Sequence, residues 1–576
     1  MMSRKALLAL ALPLSFSTAF ARVQMIPVED QIIKEAKVVK PLVLKNAKGT
    51  LMDKFLATTP ENWFNLSPAQ GIEGVRTEEA YGRFGIPLTD DIIVAVVDSG
   101  VDVNHEDLQG KIWINEGEIP NNGLDDDNNG YVDDVFGWNF IGGEKGMAKM
   151  VKDESLANGL RLVKGAPEHQ IAGDSLEVTR ELVRMKKLKA RVEELGEQLT
   201  PAQASYLGKL AAEIGELVDG AKTVVATYTK HLENYKKQEG ILREAGLADF
   251  SIEAVRAFEA TDLIVLAAKN EMISLLSKNL GLARINKVLK AYQDRLDFMY
   301  NENYDPRSIV GDNYADQSER VYGNNDVIGP DAFHGTHVSG SIAANRDNSI
   351  GIKGVATRVK IMAVRVVPNG DERDKDVANG IRYAVDNGAR IINMSFGKAY
   401  SPYKRVVDEA IKYAESKGVL LVHAAGNDSK DNDLVPSYPS KVARADGHEA
   451  ANWLEICATS FKKGPALPAT FTNYGKKTVD FCAPGVDILS TTPDNNYQLA
   501  SGTSMATPTT AGVAALVLSH YPNLDAEGLK NLLHDTSRRY PQLMVNIPGT
   551  TSPVLFGKLS LSGSIVDAFD AIQSSK

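Results

Sequence analysis

Three side chains in this 576-residue chain have the types and settings of a nucleophile, a base and an acid. Ser504 stands in Gly502-Thr503-Ser504-Met505-Ala506-Thr507-Pro508, where a glycine-led loop enters an apolar stretch predicted helical from 503 to about 520. A serine there sits beside N–H groups with no intrahelical partner and at the positive end of the helix dipole, which suits a developing oxyanion. Asp98 ends Ile92-Ile93-Val94-Ala95-Val96-Val97, an unbroken β-branched run that reads as a strand buried on both faces. His334 opens His334-Gly335-Thr336-His337-Val338-Ser339-Gly340, which leads into small residues. A hydroxyl, an imidazole and a carboxylate brought together perform acyl transfer through a covalent intermediate.

The elements that must position them alternate. Apolar strands are interleaved with helical stretches such as 376–387 and 403–417, which predicts an α/β fold with a parallel, doubly wound sheet. Asp98 then lies at the carboxyl edge of a central strand, where open sheets keep their sites. Two competing chemistries fail on the residues. His334 and His337 are three apart, but Gly335 stands where a zinc HExxH site needs Glu. Ser504 is not in a Gly-x-Ser-x-Gly turn after a strand.

Val97-Asp98-Ser99-Gly100, the His334 block and the Ser504 block resemble the three signature segments of the subtilisin-like serine peptidases, in that family's order of Asp, His, Ser. The resemblance covers roughly residues 80–143 and 305–572. It implies an endopeptidase in which Ser504 attacks, His334 moves the proton and Asp98 orients His334, with no cofactor for catalysis. Ala424-Ala425-Gly426-Asn427 resembles the family's oxyanion segment, so Asn427 is the expected side-chain donor beside the Ser504 N–H, and 424–426 line the substrate. Ile391-Ile392-Asn393-Met394-Ser395-Phe396-Gly397 resembles the strand that takes an extended peptide by β-augmentation, so Ser395, Phe396 and Gly397 are expected against substrate. The charged stretch 369–374 reads as a solvated rim.

Two stretches suit a structural calcium. Asp107 and Asn348 match ligand positions in some members of the resembled family, with carbonyls near Ile350 and Ile352, although one extra residue stands around 345–346. Asp125, Asp127 and Asn129 before Gly130 repeat the first half of an EF-hand loop. Phe136 takes the place of the twelfth-position Glu, leaving Asp133 or Asp134 to substitute.

The chain carries net charge −10 and 43% hydrophobic residues, enough for a large core and poorly suited to nucleic acid. Arg4-Lys5, the apolar stretch 6–20 and Ala19-Phe20-Ala21 form a signal-peptide pattern over 1–21, so the protein is expected to be exported, periplasmic or secreted, with no membrane anchor once the signal is removed. Residues 22–75 read as a leader or short propeptide, with apolar anchors in Asn62-Trp63-Phe64-Asn65-Leu66. Cys457 and Cys482 read as buried thiols, although export permits a disulfide.

Asp98 and His334 are 236 positions apart, where the resembled family has a few tens. Residues 144–304 therefore read as an insertion between the two halves of a catalytic domain, 76–143 and 305–576. Helical spacing over 176–199, 201–218, 221–239, 252–280 and 283–300 predicts an all-α subdomain. It could gate the cleft or bind a protein partner. The alternative function is an exported scaffold on an inactive core, acting through this insertion. Retention of Asp98, His334, Ser504 and Asn427 favours the peptidase, with polypeptides as substrates.

Overall fold

The computed structural model describes residues 62–87 and 89–574; the signal-peptide expectation and most of the leader lie outside the described residues. Among the described residues fifteen strands are formed. β1 (Ile92–Asp98) and β2 (Gly137–Asn139) precede a hairpin of β3 (Lys149–Lys152) and β4 (Leu160–Val163). β5 (Val359–Arg365), β6 (Ile391–Met394), β7 (Leu420–Ala424), β8 (Trp453–Thr459) and β9 (Phe481–Pro484) follow. Two short antiparallel pairs are β10 (Ile488–Thr492) with β11 (Asn496–Ala500), and β13 (Met544–Asn546) with β14 (Pro553–Leu555). β12 (Arg538–Arg539) and β15 (Ser564–Ile565) complete the main sheet.

That sheet has nine strands in the order β12-β15-β9-β8-β7-β6-β1-β5-β2, and every pairing but β12·β15 is parallel. β1 is an interior strand: β2 and β5, which follow it in the chain, lie on one side and β6 on the other, a switch point that opens a crevice at the carboxyl edge. Alternation along β1 sorts its side chains into two layers. Val94 and Val96 join the core with Val338, Ile342 and Met505 of the Phe333–Ala343 and Thr503–His520 helices. Ala95 and Val97 join the layer with the Asp374–Asp386 and Lys404–Ser416 helices. The sheet is thus doubly wound, as the sequence predicts. Trp63 and Phe64 are buried in the first layer, so the end of the leader stretch is part of the core.

The stretch 144–304 is mostly helical and also contains the β3–β4 hairpin, which an all-α reading omits. The separations expected between helices also move. Positions 201–218 and 221–239 join in one 44-residue helix, Pro201–Glu244. Gly220 does not stop it, because one interior glycine costs only about 1 kcal/mol. Thr200 and Gln203 form a capping box at its start, with Pro201 in the first turn. The run 252–280 divides instead into Ile252–Ala257 and Leu263–Ser277, where the Asp262 carboxylate accepts from the Ile264 and Val265 N–H groups and starts a new helix. A Leu282–Asp294 helix continues as a π-turn, Arg295–Met299.

Cys457 and Cys482 are joined in a disulfide, not held as two thiols. They face each other in register on the parallel strands β8 and β9, with Cα atoms 4.3 Å apart, and that closeness comes from strand order rather than from their sequence spacing.

Candidate active site

Asp98 leaves the end of β1 and His334 lies in the first turn of the Phe333–Ala343 helix. The two approach because residue 335 is glycine: a side chain there would begin 2.1 Å from the Gly100 carbonyl oxygen. His334 Nδ1 lies 2.7 Å from Asp98 Oδ1, which also accepts the Ser99 N–H at 2.7 Å. A carboxylate only accepts, so Nδ1 carries the proton and Nε2 is left with a lone pair. Burial opposes charge on His334, but the Asp98 charge and hydrogen bond outweigh it and raise the imidazole above its ordinary pKa. Asp98 is buried, whereas the His334 side chain is 35% exposed and lines a cleft. His337, three residues on, is fully buried with Nε2 3.1 Å from the Ile488 and Gln498 carbonyls; burial lowers it to about 4, so it is a neutral core residue.

Ser504 occupies the first turn of the Thr503–His520 helix. Its Oγ donates to the Ser395 carbonyl at 2.9 Å, and Ser395 Oγ donates back to the Ser504 carbonyl at 3.1 Å. Asn427 is oriented by Thr503, whose N–H and Oγ1 both donate to Asn427 Oδ1, at 2.9 and 3.0 Å. With its oxygen so engaged, the Asn427 amide presents Nδ2. A side chain on Gly502 would begin 3.6 Å from both Asn427 Nδ2 and the Ser504 nitrogen, so the two expected oxyanion donors flank one small space.

The loop that carries Asn427 follows β7. Ala424 closes the strand, and the Gly426 N–H donates to Thr503 Oγ1 at 3.2 Å. Buried Ala425 accepts at its carbonyl from Asn432 Nδ2 (2.8 Å) and Asn473 Nδ2 (3.0 Å). Asn473 Oδ1 accepts the N–H groups of Asp428 and Lys430, clamping the loop from both ends. Neither Thr503 nor Asn473 carries a sequence signal as a positioning residue, because each acts on a segment tens of residues away.

Ser395 and Phe396 line a cleft of about 390 Å³ with Asp98, His334 and 367–371, and exposed Gly397 follows them. The stretch 369–374 departs from the solvated rim that its charges suggest. Glu372, Arg373 and Asp374 are each at most 3% exposed. Arg373 pairs with Asp174 at 2.6 Å and Asp374 with Lys398 at 2.8 Å, so the charges are internal.

The metal expectations separate. Carboxylate oxygens of Asp125, Asp127 and Glu118 lie within 4.8 Å of one another, and Glu118 was not foreseen because it precedes the loop. The other two expected ligands point elsewhere. Asp133 Oδ2 accepts from the Gly123 N–H, and Asn129 turns its NH₂ group to Asp127 and Asp134. Asp107 and Asn348 do meet, but Asn348 Nδ2 donates to Asp107 Oδ1 (2.7 Å) and the Ile352 N–H donates to Oδ2 (3.0 Å). Both oxygens therefore face N–H donors, an arrangement that secures the loop rather than forming a cation shell.

The Subtilase family model matches residues 89–553. A thermophilic serine proteinase of Bacillus sp. (strain AK1) is 34% identical over 275 residues, covering 48% of this chain and 55% of that protein. Thermitase of Thermoactinomyces vulgaris is 38% identical over 217 residues, 36% of this chain and 72% of thermitase. Subtilisin DY of Bacillus licheniformis is 38% identical over 208 residues, 35% of this chain and 70% of that protein. Among solved structures, a cold adapted subtilisin-like serine proteinase is 29% identical and aligns over 42% of this chain and 78% of that one, with a TM-score of 0.33. The match thus spans little more than half of the AK1 proteinase and nearly three quarters of thermitase. With the family's pattern running from residue 89 to 553, the chain belongs to the subtilase family.

Proposed function

We propose that the protein is an exported serine endopeptidase that hydrolyses polypeptides through an acyl-enzyme. Ser504 attacks the scissile carbonyl. His334 Nε2 takes the Ser504 proton and passes it to the leaving amine, while Asp98 holds the imidazole and stabilises its cation. At rest Ser504 Oγ is engaged by the Ser395 carbonyl, so the reaction begins with a turn of that side chain toward His334. The oxyanion is received by Asn427 Nδ2 and the Ser504 N–H. Substrate backbone pairs along Ser395–Gly397 as an added strand.

The observation that carries this reading is the 2.7 Å Asp98–His334 pair at the edge of an open cleft. A fluorophosphonate probe tests it: the parent is expected to label covalently and Ser504→Ala to stay unlabelled. An unlabelled parent would overturn it. Export is supported by the N-terminal pattern, and no helix among the described residues is long and apolar enough to cross a membrane. A calcium ion suits the hard oxygen donors of Glu118, Asp125 and Asp127, where it would offset their mutual repulsion.

A further inference from the structure

The cleft beside His334 has a wall that the catalytic motifs do not supply. Ala172, Leu176 and Met299 line it, together with Val367, Phe396 and Gly370. All three belong to the stretch between the Asp98 and His334 motifs.

We propose that this inserted stretch builds one wall of the substrate cleft, and that Leu176 and Met299 form an apolar subsite selecting a bulky apolar side chain of the bound polypeptide at one position away from the cleaved bond. The inference rests on the peptidase reading and names what the same cleft selects.

The wall is fixed to the cleft floor by main-chain bonds. The Asn369 N–H donates to the Ala172 carbonyl at 2.9 Å, and the Asp174 N–H donates to the Asn369 carbonyl at 3.2 Å. Gly173 thereby bridges Asn369 as a short parallel pairing. The approach is so close that a side chain on Gly370 would begin 2.1 Å from the Asp174 carbonyl oxygen, and Gly370 has φ 145°. The pairing uses both main-chain groups of Asn369. Gly370, which lines the cleft, keeps its own N–H and C=O without a hydrogen-bond partner among the described residues. The inserted segment backs this strand without filling the cleft.

The two apolar residues come from opposite ends of the insertion and are tied together. The Leu176 N–H and Thr179 Oγ1 both donate to the Met299 carbonyl, at 2.9 and 2.8 Å. Asp371 Oδ2 accepts the Glu177 N–H at 2.8 Å, satisfying the first free donor of the Glu177–Glu194 helix. Beneath them Glu177 pairs with Arg180 at 2.6 Å, and both side chains are at most 9% exposed. These charges are buried and bonded, which ties the wall to the helix behind it. Leu176 and Met299 are only half-buried, with apolar surface left for a ligand. The unbranched Met side chain adapts to side chains of differing shape.

The test uses the full chain. Leu176→Ala, Met299→Ala and the double variant are profiled on a peptide library, with fluorophosphonate labelling reporting whether the nucleophile is competent. The expected result is that the kcat/KM ratio between bulky and small apolar residues at one position falls about 10-fold or more in labelled protein. Leu176→Trp fills the same space and is expected to turn preference toward small residues. A profile unchanged in both the double and the Trp variants, with labelling intact, would overturn the subsite alone. A parent that neither labels nor cleaves would overturn the peptidase reading with it.

Discussion

Two of the histidine–carboxylate pairs among the described residues join a ring Nδ1 to a carboxylate at nearly the same short distance. His334 Nδ1 lies 2.7 Å from Asp98, and His423 Nδ1 lies 2.9 Å from Glu455, on the adjacent strands β7 and β8. Their surroundings differ. The His334 side chain is 35% exposed and borders the cleft. His423 is wholly buried, with its ring centre 4.9 Å from that of Trp453, and Trp453 Nε1 also donates to Glu455. Its Nε2 has no partner among the described residues. A carboxylate behind an imidazole therefore does not by itself make a base. Access of the far nitrogen to a reacting proton is also required, and of these two pairs it is the Asp98–His334 pair that borders the cleft.

The strongest way to break this contrast is to delete each histidine. His334→Ala is expected to cut kcat on the order of 10⁶-fold in a peptide-hydrolysis assay. His423→Ala should leave turnover per labelled site close to the parent's, and cost about 1–3 kcal/mol of stability in urea unfolding because the buried Glu455 side chain loses one of its hydrogen-bond partners. Comparable losses of turnover from both would erase the distinction.

Asp98→Asn comes next, with an expected loss of about 10⁴-fold because the amide no longer fixes the productive tautomer. The sign of its pH effect also follows. The base form of His334 disappears as pH falls through a pKa that Asp98 keeps raised. Removing that charge should move the acid limb of the kcat/KM profile to lower pH. An acid limb that stays in place would separate Asp98 from His334.

Asn427→Ala is smaller again, about 10²–10³-fold in kcat with KM little changed, since the amide serves the transition state more than the ground state. Stopped assays on one peptide at several concentrations make the split. A rise in KM with kcat retained would place Asn427 in ground-state binding instead.

The same contrast explains what the sequence could tell. The placement of Asp98 at a strand end and of His334 and Ser504 in first helical turns was legible because each sits where a run of one periodicity ends: a β-branched strand, or the start of a small-residue helix. The central sheet was legible for the same reason. The burial of 372–374 was not, because Asp174, Glu177 and Arg180 reach the 371–374 stretch from about 200 positions earlier, and four charges in six residues look solvated when read locally. The Cys457–Cys482 bond depends on β8 lying beside β9, a matter of strand order. Glu118 joined Asp125 and Asp127 through loop closure, for which no spacing rule exists.

The smallest expected effect concerns that buried stretch. Burial pushes the Glu372 carboxyl up to about 8 against its ordinary 4.5, with the Asp371 and Asp374 charges also opposing its ionisation and Lys398 favouring it. Its Oε1 is buried without a partner among the described residues, as suits a group held neutral. A folded-state pKa above the unfolded value gives stability that is fully present below about pH 4.5 and is lost as pH rises toward 8, because only the unfolded chain releases the proton in that window. At about 1.4 kcal/mol per pKa unit, the loss is on the order of a few kcal/mol. Glu372→Gln cannot ionise, so its urea midpoint should match the parent's near pH 4.5 and exceed it increasingly up to pH 8. The His334 imidazole is raised because the Asp98 charge and hydrogen bond outweigh its burial, whereas at Glu372 burial outweighs the Lys398 charge. Parallel midpoint curves for parent and variant would show that Glu372 is ionised in the folded protein, with Lys398 supplying the compensation that burial alone withholds.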